Sequence, residues 1–90
     1  MRLDKFLKVS RIIRQRARAK ELCDQGAVQM NGRPAKAGHE VVEGDVLSIT
    51  IGDRLMTIRV VRVPAGHVPK SGASDLFISE GVIDLDESFR

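Results

Sequence analysis

The sequence predicts an α+β domain in which two short helices pack on a small, mostly antiparallel sheet, followed by a C-terminal tail. Two observations favour this class. Apolar residues recur at helical spacing before residue 26 and alternate with polar residues after it. The chain has 90 residues, of which 42% are hydrophobic, and this length supports one core but not two.

Two apolar stripes at helical spacing lie in the first 25 residues. Each stripe contains three residues at positions i, i+3 and i+4: Leu3, Phe6 and Leu7 in the first, and Ala19, Leu22 and Cys23 in the second. They predict a helix over residues 3–9 and another from about 16 to 25, which Gly26 ends in a left-handed conformation. Isolated helices shorter than about 12 residues are marginal in water, so both must dock on the sheet.

Beyond Gly26 the apolar residues alternate as they do in half-buried strands. A first short strand ends at Asn31-Gly32, a dipeptide that tolerates positive φ, and we interpret Asn31 as a structural turn residue. Two longer alternating runs follow: Leu47, Ile49 and Ile51, then Met56, Ile58 and Val60. Gly52-Asp53 lies between these runs and predicts a turn, so they form an antiparallel pair.

The pattern is interrupted after residue 63. Pro64 and Pro69, with glycine and serine around them, predict a loop from about 64 to 74. Acidic residues interspersed with apolar ones follow. We therefore assign the domain to residues 1–63, and a loop with a partly docked acidic C-terminal tail to residues 64–90.

Positive charge is concentrated at one end of the chain. Residues 1–36 contain ten of the fifteen Lys and Arg residues and three acidic residues, which gives a net charge of +7. Residues 37–90 contain five basic and nine acidic residues, a net charge of −4. The overall charge of +3 conceals this polarity. Such a concentration of positive charge indicates a polyphosphate partner, and RNA is the partner that we expect first.

The composition gives no support for a disulfide-bonded protein, a metalloprotein, an enzyme or a membrane protein. One cysteine, Cys23, excludes an intrachain disulfide, and with only two histidines, His39 and His67, no metal-ligand spacing arises. We interpret Cys23 as a core residue and expect no cofactor and no enzymatic activity, because no catalytic constellation is visible. No stretch approaches the roughly 18 apolar residues of a membrane span, so we expect a cytoplasmic protein without a membrane partner.

The order of these motifs resembles the S4 domain, the RNA-binding domain named after small-subunit ribosomal protein four. The residues that carry the resemblance are Arg2-Leu3-Asp4-Lys5-Phe6-Leu7, Arg16-Ala17-Arg18-Ala19-Lys20, Gly26, Val28-Gln29-Met30-Asn31-Gly32-Arg33-Pro34 and Gly44-Asp45. It covers residues 1 to about 63. The length of the chain resembles the single-domain bacterial members, namely the RqcP-like proteins of ribosome-associated quality control and their relative, heat shock protein fifteen. Residues 7–14 are more similar to the former.

This resemblance implies the alpha-L RNA-binding motif and a non-enzymatic, ribosome-associated role. RqcP-like members bind the large ribosomal subunit, through its rRNA, together with a stalled peptidyl-tRNA, and assist C-terminal alanine tailing of the stalled chain. The implied partners are therefore large-subunit rRNA and peptidyl-tRNA, with the quality-control tailing factor as a further one. We expect a monomer. Recycling of the large subunit, as in heat shock protein fifteen, stays open as an alternative.

Eleven residues form the predicted RNA-binding site: Arg2, Asp4, Lys5, Lys8, Arg11, Arg14, Arg16, Arg18, Lys20, Arg33 and Lys36. Arg11, Arg14 and Arg18 are separated by three and four residues, and Arg16 and Lys20 by four, which predicts a basic stripe along a phosphate backbone. The alternative is a solvated, helix-favouring surface. Arg2 and Arg16 are the strongest candidates.

Asp4 is the exception in this basic set, and its chemistry leaves two interpretations open. It could stabilise the helix by its position in the first turn and by pairing with Lys8 four residues later. It could instead orient an arginine or accept a hydrogen bond from a base or a ribose hydroxyl. Its place in the Arg-Leu-Asp motif of the resemblance favours the second interpretation.

Two further functions compete with the ribosomal one. Residues 3–25 could be a helix-turn-helix that binds DNA, although strands follow the second helix at once. The chain could also be a relative of RNA-modifying enzymes that carry this domain as an appendage. The chain contains no Trp or Tyr and only three Phe residues, so it lacks an aromatic surface for splayed bases. Folded RNA, recognised by shape and phosphates, is the expected ligand.

Overall fold

The computed structural model describes residues 1–65 and 70–85. Its elements are α1 (Leu3–Val9), α2 (Arg16–Asp24), β1 (Val28–Met30), β2 (Arg33–Pro34), β3 (Val46–Ile51), β4 (Arg54–Val60), a 3-10 helix (Lys70–Leu76) and β5 (Phe77–Asp84). The strands form one sheet in the order β2-β1-β3-β4-β5, and every pairing is antiparallel. The predicted α+β class is confirmed. No helix in the described part of the chain is both long enough and apolar enough to span a bilayer.

Both helices are short, and each buries its predicted stripe in a shared core. The core joins residues of α1 and α2 to one face of the sheet: Leu3, Phe6, Leu7, Ala19, Leu22 and Cys23 from the helices, and Val28, Met30, Leu47, Ile49, Ile58 and Val60 from the strands. Gly26 has a φ of +76° after the end of α2, as its sequence position predicts. Helix stability here comes from this burial, because both helices are too short to persist alone.

The start of α1 is capped by the backbone of a distant loop, residues 37–41. Neither helix has a side-chain cap at its N-terminus. The N–H of Leu3 donates to the carbonyl oxygen of His39 at 2.8 Å, and the N–H of Asp4 donates to that of Ala37 at 3.1 Å. The N–H of Val41 also donates to the carbonyl oxygen of Met1 at 2.9 Å. Backbone hydrogen bonds to residues 37–41 therefore fix the position of the start of α1.

The turn after β1 has the geometry that its sequence predicts. Asn31 and Gly32 have φ values of +53° and +83°, both in the left-handed region. The Asn31 side chain also joins two strands, since its Oδ1 accepts from the Val46 N–H at 2.9 Å and its Nδ2 donates to Asp45 at 3.1 Å. The structural interpretation of Asn31 is thereby confirmed.

The fifth strand is not predicted from the sequence. β5 pairs with β4 from Phe77↔Val60 to Asp84↔Arg54, with a register shift between Thr57 and Ile58. This bulge breaks the alternation of apolar residues that would reveal a strand. Residues 70–76 form the 3-10 helix, although the sequence predicts a loop as far as about residue 74. The boundary at residue 63 stays a prediction, and β5 pairs with β4 across it.

Other parts of the predicted loop and tail lie outside the described residues. They are residues 66–69, which include His67 and Pro69, and residues 86–90.

Cys23 is a core residue, as predicted. It is 5% exposed and belongs to the apolar cluster. Burial raises the pKa of its thiol to about 11, with smaller contributions from the negative charges of Asp4 and Asp24. The thiol is therefore protonated at neutral pH, and it is not an activated nucleophile.

This burial predicts slow chemical modification of Cys23. Between a pKa of about 11 and an ordinary thiol pKa of about 8.5, the thiolate fraction at neutral pH falls by roughly two orders of magnitude. We expect an aromatic disulfide reagent to react with the native protein at least about a hundredfold more slowly than with the denatured protein. The absorbance of the released aromatic thiolate measures both rates. Equal rates would show that the thiol is open to solvent.

Candidate nucleic-acid interface

The structure exposes all ten predicted basic residues and buries Asp4. The basic residues lie in four places: Arg2, Lys5 and Lys8 at the start of or on α1, Arg11 and Arg14 between the helices, Arg16, Arg18 and Lys20 on α2, and Arg33 and Lys36 on or after β2. They come from the chain segment with a charge of +7. The exposed guanidinium and ammonium groups are the groups that contact phosphates in protein–RNA complexes.

Asp4 joins the two arginines that the sequence ranks highest. Its Oδ1 accepts from Arg2 Nε at 3.2 Å, and its Oδ2 lies 3.3 Å from Arg16 Nε. Oδ1 also accepts from the backbone N–H of Lys5 at 2.8 Å. The Asp4 carboxylate thus connects the start of α1 to the first residue of α2. Asp4 lies in the first turn of α1 but does not pair with Lys8. Its contacts with Arg2 and Arg16 fit the interpretation that it orients an arginine, and its part in RNA binding stays a prediction.

Burial of Asp4 contrasts with the exposure of its partners. The Asp4 side chain is 4% exposed, whereas the side chains of Arg2 and Arg16 are 51% and 46% exposed. Arg16 contacts Asp4 through Nε, so its two terminal NH2 groups are not needed for this ion pair. The buried carboxylate therefore holds the two guanidinium groups on their protein side, and a phosphate can approach them from the solvent side.

The hydrogen bonds change the pKa of Asp4. Burial alone would raise the pKa of this carboxyl, but hydrogen bonds from Arg2, Arg16 and the Lys5 N–H outweigh burial and lower it. A carboxylate whose pKa is lowered by folding stabilises the fold fully above its unfolded pKa, about 3.9 for aspartate. That contribution is lost as the pH falls through the lower, folded pKa.

This linkage predicts how stability depends on pH. The free energy of unfolding of the native protein should exceed that of the Asp4→Asn variant by a constant amount between neutral pH and about pH 5. The difference should shrink as the pH falls below about 3.9, where Asp4 of the unfolded chain becomes protonated, and it should be lost once the pH passes the lower pKa of folded Asp4. Urea denaturation of both proteins at a series of pH values measures it. A difference that does not change with pH would mean that the Asp4 charge contributes nothing.

Asp4 and its two partners, Arg2 and Arg16, form what we call the Asp4 cluster. A cavity of about 520 Å³ opens beside it. Its lining includes Met1, Arg2, Lys5, Arg16, Glu40 and Pro64. A second cavity, of about 440 Å³, lies beside the turn after β1, and its lining includes Asn31, Arg33 and His39. The first cavity brings together three of the predicted site residues, so it is the centre of the candidate interface. Arg33 belongs to the second.

The remaining basic residues of α2 are paired along the helix. Arg18 Nη1 lies 3.4 Å from Glu21 Oε1, and Lys20 Nζ lies 3.7 Å from Asp24 Oδ2. Both pairs are exposed, and such pairs contribute little to stability. A phosphate could replace the carboxylates at small cost, but the structure does not bring Arg18 and Lys20 to the Asp4 cluster.

The predicted stripe of Arg11, Arg14 and Arg18 is wrong as a helical feature. Residues 10–15 lie between the two helices, so helical spacing does not align these three side chains. Arg11 instead follows the Ser10 cap of α1 with a φ of +65°, and its N–H donates to the carbonyl oxygen of Lys8 at 3.0 Å. This left-handed position after a helix is one that glycine usually occupies. We hypothesise that an arginine is kept there because its side chain contacts RNA.

Arg11→Gly tests this interpretation, because the effects on stability and binding have opposite signs. A left-handed φ costs an L-residue about 1 kcal/mol relative to glycine, so we expect unchanged or slightly higher stability. RNA affinity should fall several-fold, since one phosphate contact is lost. Thermal unfolding and fluorescence anisotropy measure the two effects. In the control, Arg14→Gly, the same charge is lost where φ is not positive, so stability should fall.

Glu40 and His39 line the two cavities, and the sequence does not reveal either of them as part of the candidate interface. Glu40 forms an isolated antiparallel bridge with Arg2. Its Oε2 lies 2.7 Å from the ammonium nitrogen of Met1. Both residues lie in a loop without a periodic pattern, and only the pairing of that loop with the start of α1 brings them to the basic residues.

Among residues 1–65 and 70–85, no group of His, Cys, Asp or Glu side chains is arranged to hold a metal ion.

Comparisons with known proteins identify the family of the chain. The S4 domain family model matches residues 1–47. The chain is 52% identical over 77 residues to the RQC P-site tRNA stabilizing factor of Halalkalibacterium halodurans, which covers 86% of each chain. It is 53% identical over 60 residues to the protein of the same name from Bacillus subtilis, covering 67% of this chain and 70% of that one.

A solved structure shares the fold. The trimeric structure of heat shock protein fifteen from Vibrio cholerae superimposes with a TM-score of 0.80 at 26% identity, covering 88% of this chain and 80% of that chain. The family model covers the residues from α1 to the start of β3, and the match to the first relative covers 86% of the chain. The chain therefore belongs to the S4 domain family and, within it, to the family of these two relatives.

Proposed function

We propose that the protein is a non-enzymatic RNA-binding factor of bacterial ribosome-associated quality control. It binds large-subunit rRNA and peptidyl-tRNA and thereby assists C-terminal alanine tailing of stalled chains. The observation that carries this proposal is the Asp4 carboxylate, which holds Arg2 and Arg16 beside Lys5 at one exposed cavity. The relatives named RQC P-site tRNA stabilizing factor support the choice of tRNA and of the pathway.

The charge distribution supports a preferred orientation on the ribosome. The helices and the turn after β1 carry the basic residues, whereas residues 37–90 have a net charge of −4. Phosphates attract the first segment and repel the second, which favours binding to RNA through the helices and the turn after β1. Folded RNA suits this surface, because phosphate contacts and shape, not aromatic stacking, dominate recognition of helices. In this proposal the protein acts in the cytoplasm as a monomer.

Holding a tRNA is a binding function that requires no catalytic group. A factor that contacts both the tRNA and the rRNA lowers the dissociation rate of the tRNA by adding a second attachment. The tailing factor then acts on a nascent chain whose tRNA stays in place. A contact between the tailing factor and this protein is part of the proposal.

Co-sedimentation at moderate salt tests this function. The purified protein is mixed with small subunits, with empty large subunits, with large subunits that carry peptidyl-tRNA, and with duplex DNA. We expect preferential binding to the tRNA-bearing large subunits, and loss of binding in the Arg2→Ala/Arg16→Ala double variant. Equal binding to all four, or preference for DNA, would contradict the proposal and favour a DNA-binding helix-turn-helix protein.

Recycling of the large subunit is the second candidate function, because the fold of heat shock protein fifteen is so similar. Both candidates predict binding to the tRNA-bearing large subunit. An alanine-tailing reaction reconstituted with and without the protein separates them. Longer tails in its presence support the quality-control role, and unchanged tails would support recycling.

A further inference from the structure

The cavity beside the Asp4 cluster contains charges of both signs. Arg2, Lys5 and Arg16 line it together with Glu40 and Pro64. A site for phosphates alone would exclude carboxylates at its surface, since like charges repel and the repulsion grows as water is displaced. Asp4 does not raise this question, because it is buried beneath the arginines. Glu40 is exposed, and the Met1 ammonium group pairs with one of its two carboxylate oxygens, so the other oxygen is available to a ligand with a matching group.

The structure holds Glu40 in a defined position. Its backbone bridges to that of Arg2, and its Oε2 contacts the Met1 ammonium nitrogen at 2.7 Å. The side chain is nevertheless 73% exposed. Within residues 1–65 and 70–85, Oε1 takes part in no hydrogen bond. An ionised carboxylate can only accept hydrogen bonds, so Glu40 presents a positioned acceptor at the edge of the cavity.

A ribonucleotide has the two groups that this cavity matches. Its phosphate is an anion, and its ribose 2′-hydroxyl and the exocyclic amino groups of its bases are hydrogen-bond donors. The cavity volume of about 520 Å³ lies within the roughly 300–1,000 Å³ range of small-ligand sites. Pro64 adds an apolar surface for the sugar or the base.

We propose that this cavity holds one nucleotide of the bound RNA, with its phosphate at Arg2, Lys5 and Arg16 and a hydrogen-bond donor of its ribose or base at Glu40. This inference rests on the RNA-binding function proposed above and adds a specificity-determining residue to it. Arg2, Lys5 and Arg16 supply affinity, which any phosphate satisfies. Glu40 supplies selection between nucleotides. When the bound nucleotide lacks the donor, the Glu40 carboxylate faces the ligand without a hydrogen-bond partner there.

Three probes and four proteins test the inference. The probes are an RNA stem-loop, the same stem-loop with 2′-deoxyribose in its loop, and the same stem-loop whose loop bases lack their exocyclic amino groups. The proteins are the native chain, Glu40→Ala, Glu40→Gln and the matched control Glu43→Ala. Glu43 is also exposed and acidic, but it is not part of the cavity lining. Fluorescence anisotropy at a fixed salt concentration gives each affinity.

We expect the native protein to prefer the unmodified RNA over one modified probe by roughly tenfold, as a charge-assisted hydrogen bond allows. Glu40→Ala should reduce this preference below about twofold, and Glu40→Gln, which keeps a neutral acceptor, should be intermediate. Glu43→Ala should raise the affinity for every probe equally, because it removes only a negative charge. Sensitivity to deoxyribose identifies the ribose hydroxyl as the donor, and sensitivity to the altered bases identifies an amino group.

The same preference in Glu40→Ala as in the native protein would overturn the inference, as would a native protein that binds all three probes equally. In both cases RNA binding itself persists, so the proposed function stands. A native protein that binds none of the probes, with no salt dependence, would overturn the RNA-binding function and the inference together.

Discussion

Replacing Asp4 with asparagine is expected to weaken RNA binding, although it makes the protein more positive. Asparagine has the same shape, but it cannot hold two guanidinium groups by charge. Arg2 and Arg16 would then move freely in the unbound protein. Ordering a long side chain on binding costs about 0.5–1.5 kcal/mol, so two arginines together reduce the affinity by roughly tenfold. The dissociation constant for a structured RNA, measured well below the melting temperature, gives the result.

The control for Asp4→Asn is Asp24→Asn. Asp24 is an exposed acid in the same basic segment, and its partner is Lys20. Removing either acid changes the net charge by the same amount, but only Asp4 holds arginines of the cavity. Asp24→Asn should therefore bind RNA equally or slightly more tightly. Tighter binding by Asp4→Asn as well would mean that Asp4 acts only as a repulsive charge.

Asp4→Asn should also destabilise the fold by about 1–3 kcal/mol at neutral pH. The buried side chain accepts from the Lys5 N–H and from two arginines, and an amide can satisfy only part of this set. Urea denaturation measures the loss. An unchanged midpoint would show that the two arginines are solvated just as well without the carboxylate.

Replacing Arg16 with alanine is expected to lower RNA affinity by about tenfold and to reduce the salt dependence of binding. Each phosphate contact contributes about 0.7–0.9 to the slope of log affinity against log salt concentration. Arg16 is the residue of α2 that both contacts Asp4 and lines the cavity. Losing it should therefore decrease the magnitude of the slope by about one contact. Titrations at four or more salt concentrations measure the slope.

Two further variants separate position from charge at Arg16. Arg59→Ala removes one positive charge from β4, where Arg59 donates to Glu80 at 2.9 Å, and should leave both affinity and slope nearly unchanged. Arg16→Lys keeps the charge but loses the planar guanidinium, so the slope should persist while the affinity falls. If Arg16→Ala and Arg59→Ala behaved alike, Arg16 would have no special place in the site.

The sequence predicts those elements whose signal is local. The stripes of α1 and α2 and the alternation in β3 and β4 depend on residues a few positions apart, and their predicted bounds agree with the structure to within two residues. The turn at Asn31-Gly32 is also local, because its backbone requires two residues that tolerate positive φ. The exposure of the basic residues follows from their charge.

Long-range pairing accounts for what the sequence does not predict. β5 depends on β4 for its hydrogen bonds, and its bulge hides the alternation that would identify it. Glu40 reaches the cavity because its loop pairs with Arg2, a contact that no local pattern encodes. The partners of Asp4 show the same limit: a helical repeat suggests Lys8, whereas the fold brings Arg16 to the carboxylate.

The cap that residues 37–41 provide for α1 has an expected consequence for the synthesis of the protein. A ribosome produces residues 1–20, with eight of the fifteen Lys and Arg residues, before it produces His39 and Ala37, whose carbonyl oxygens complete α1. A seven-residue helix without this cap is unstable, so the emerging N-terminal segment is a flexible polycation without a shaped site. We therefore expect selective binding to begin only after the sheet has formed, so that each new molecule functions only once it has folded.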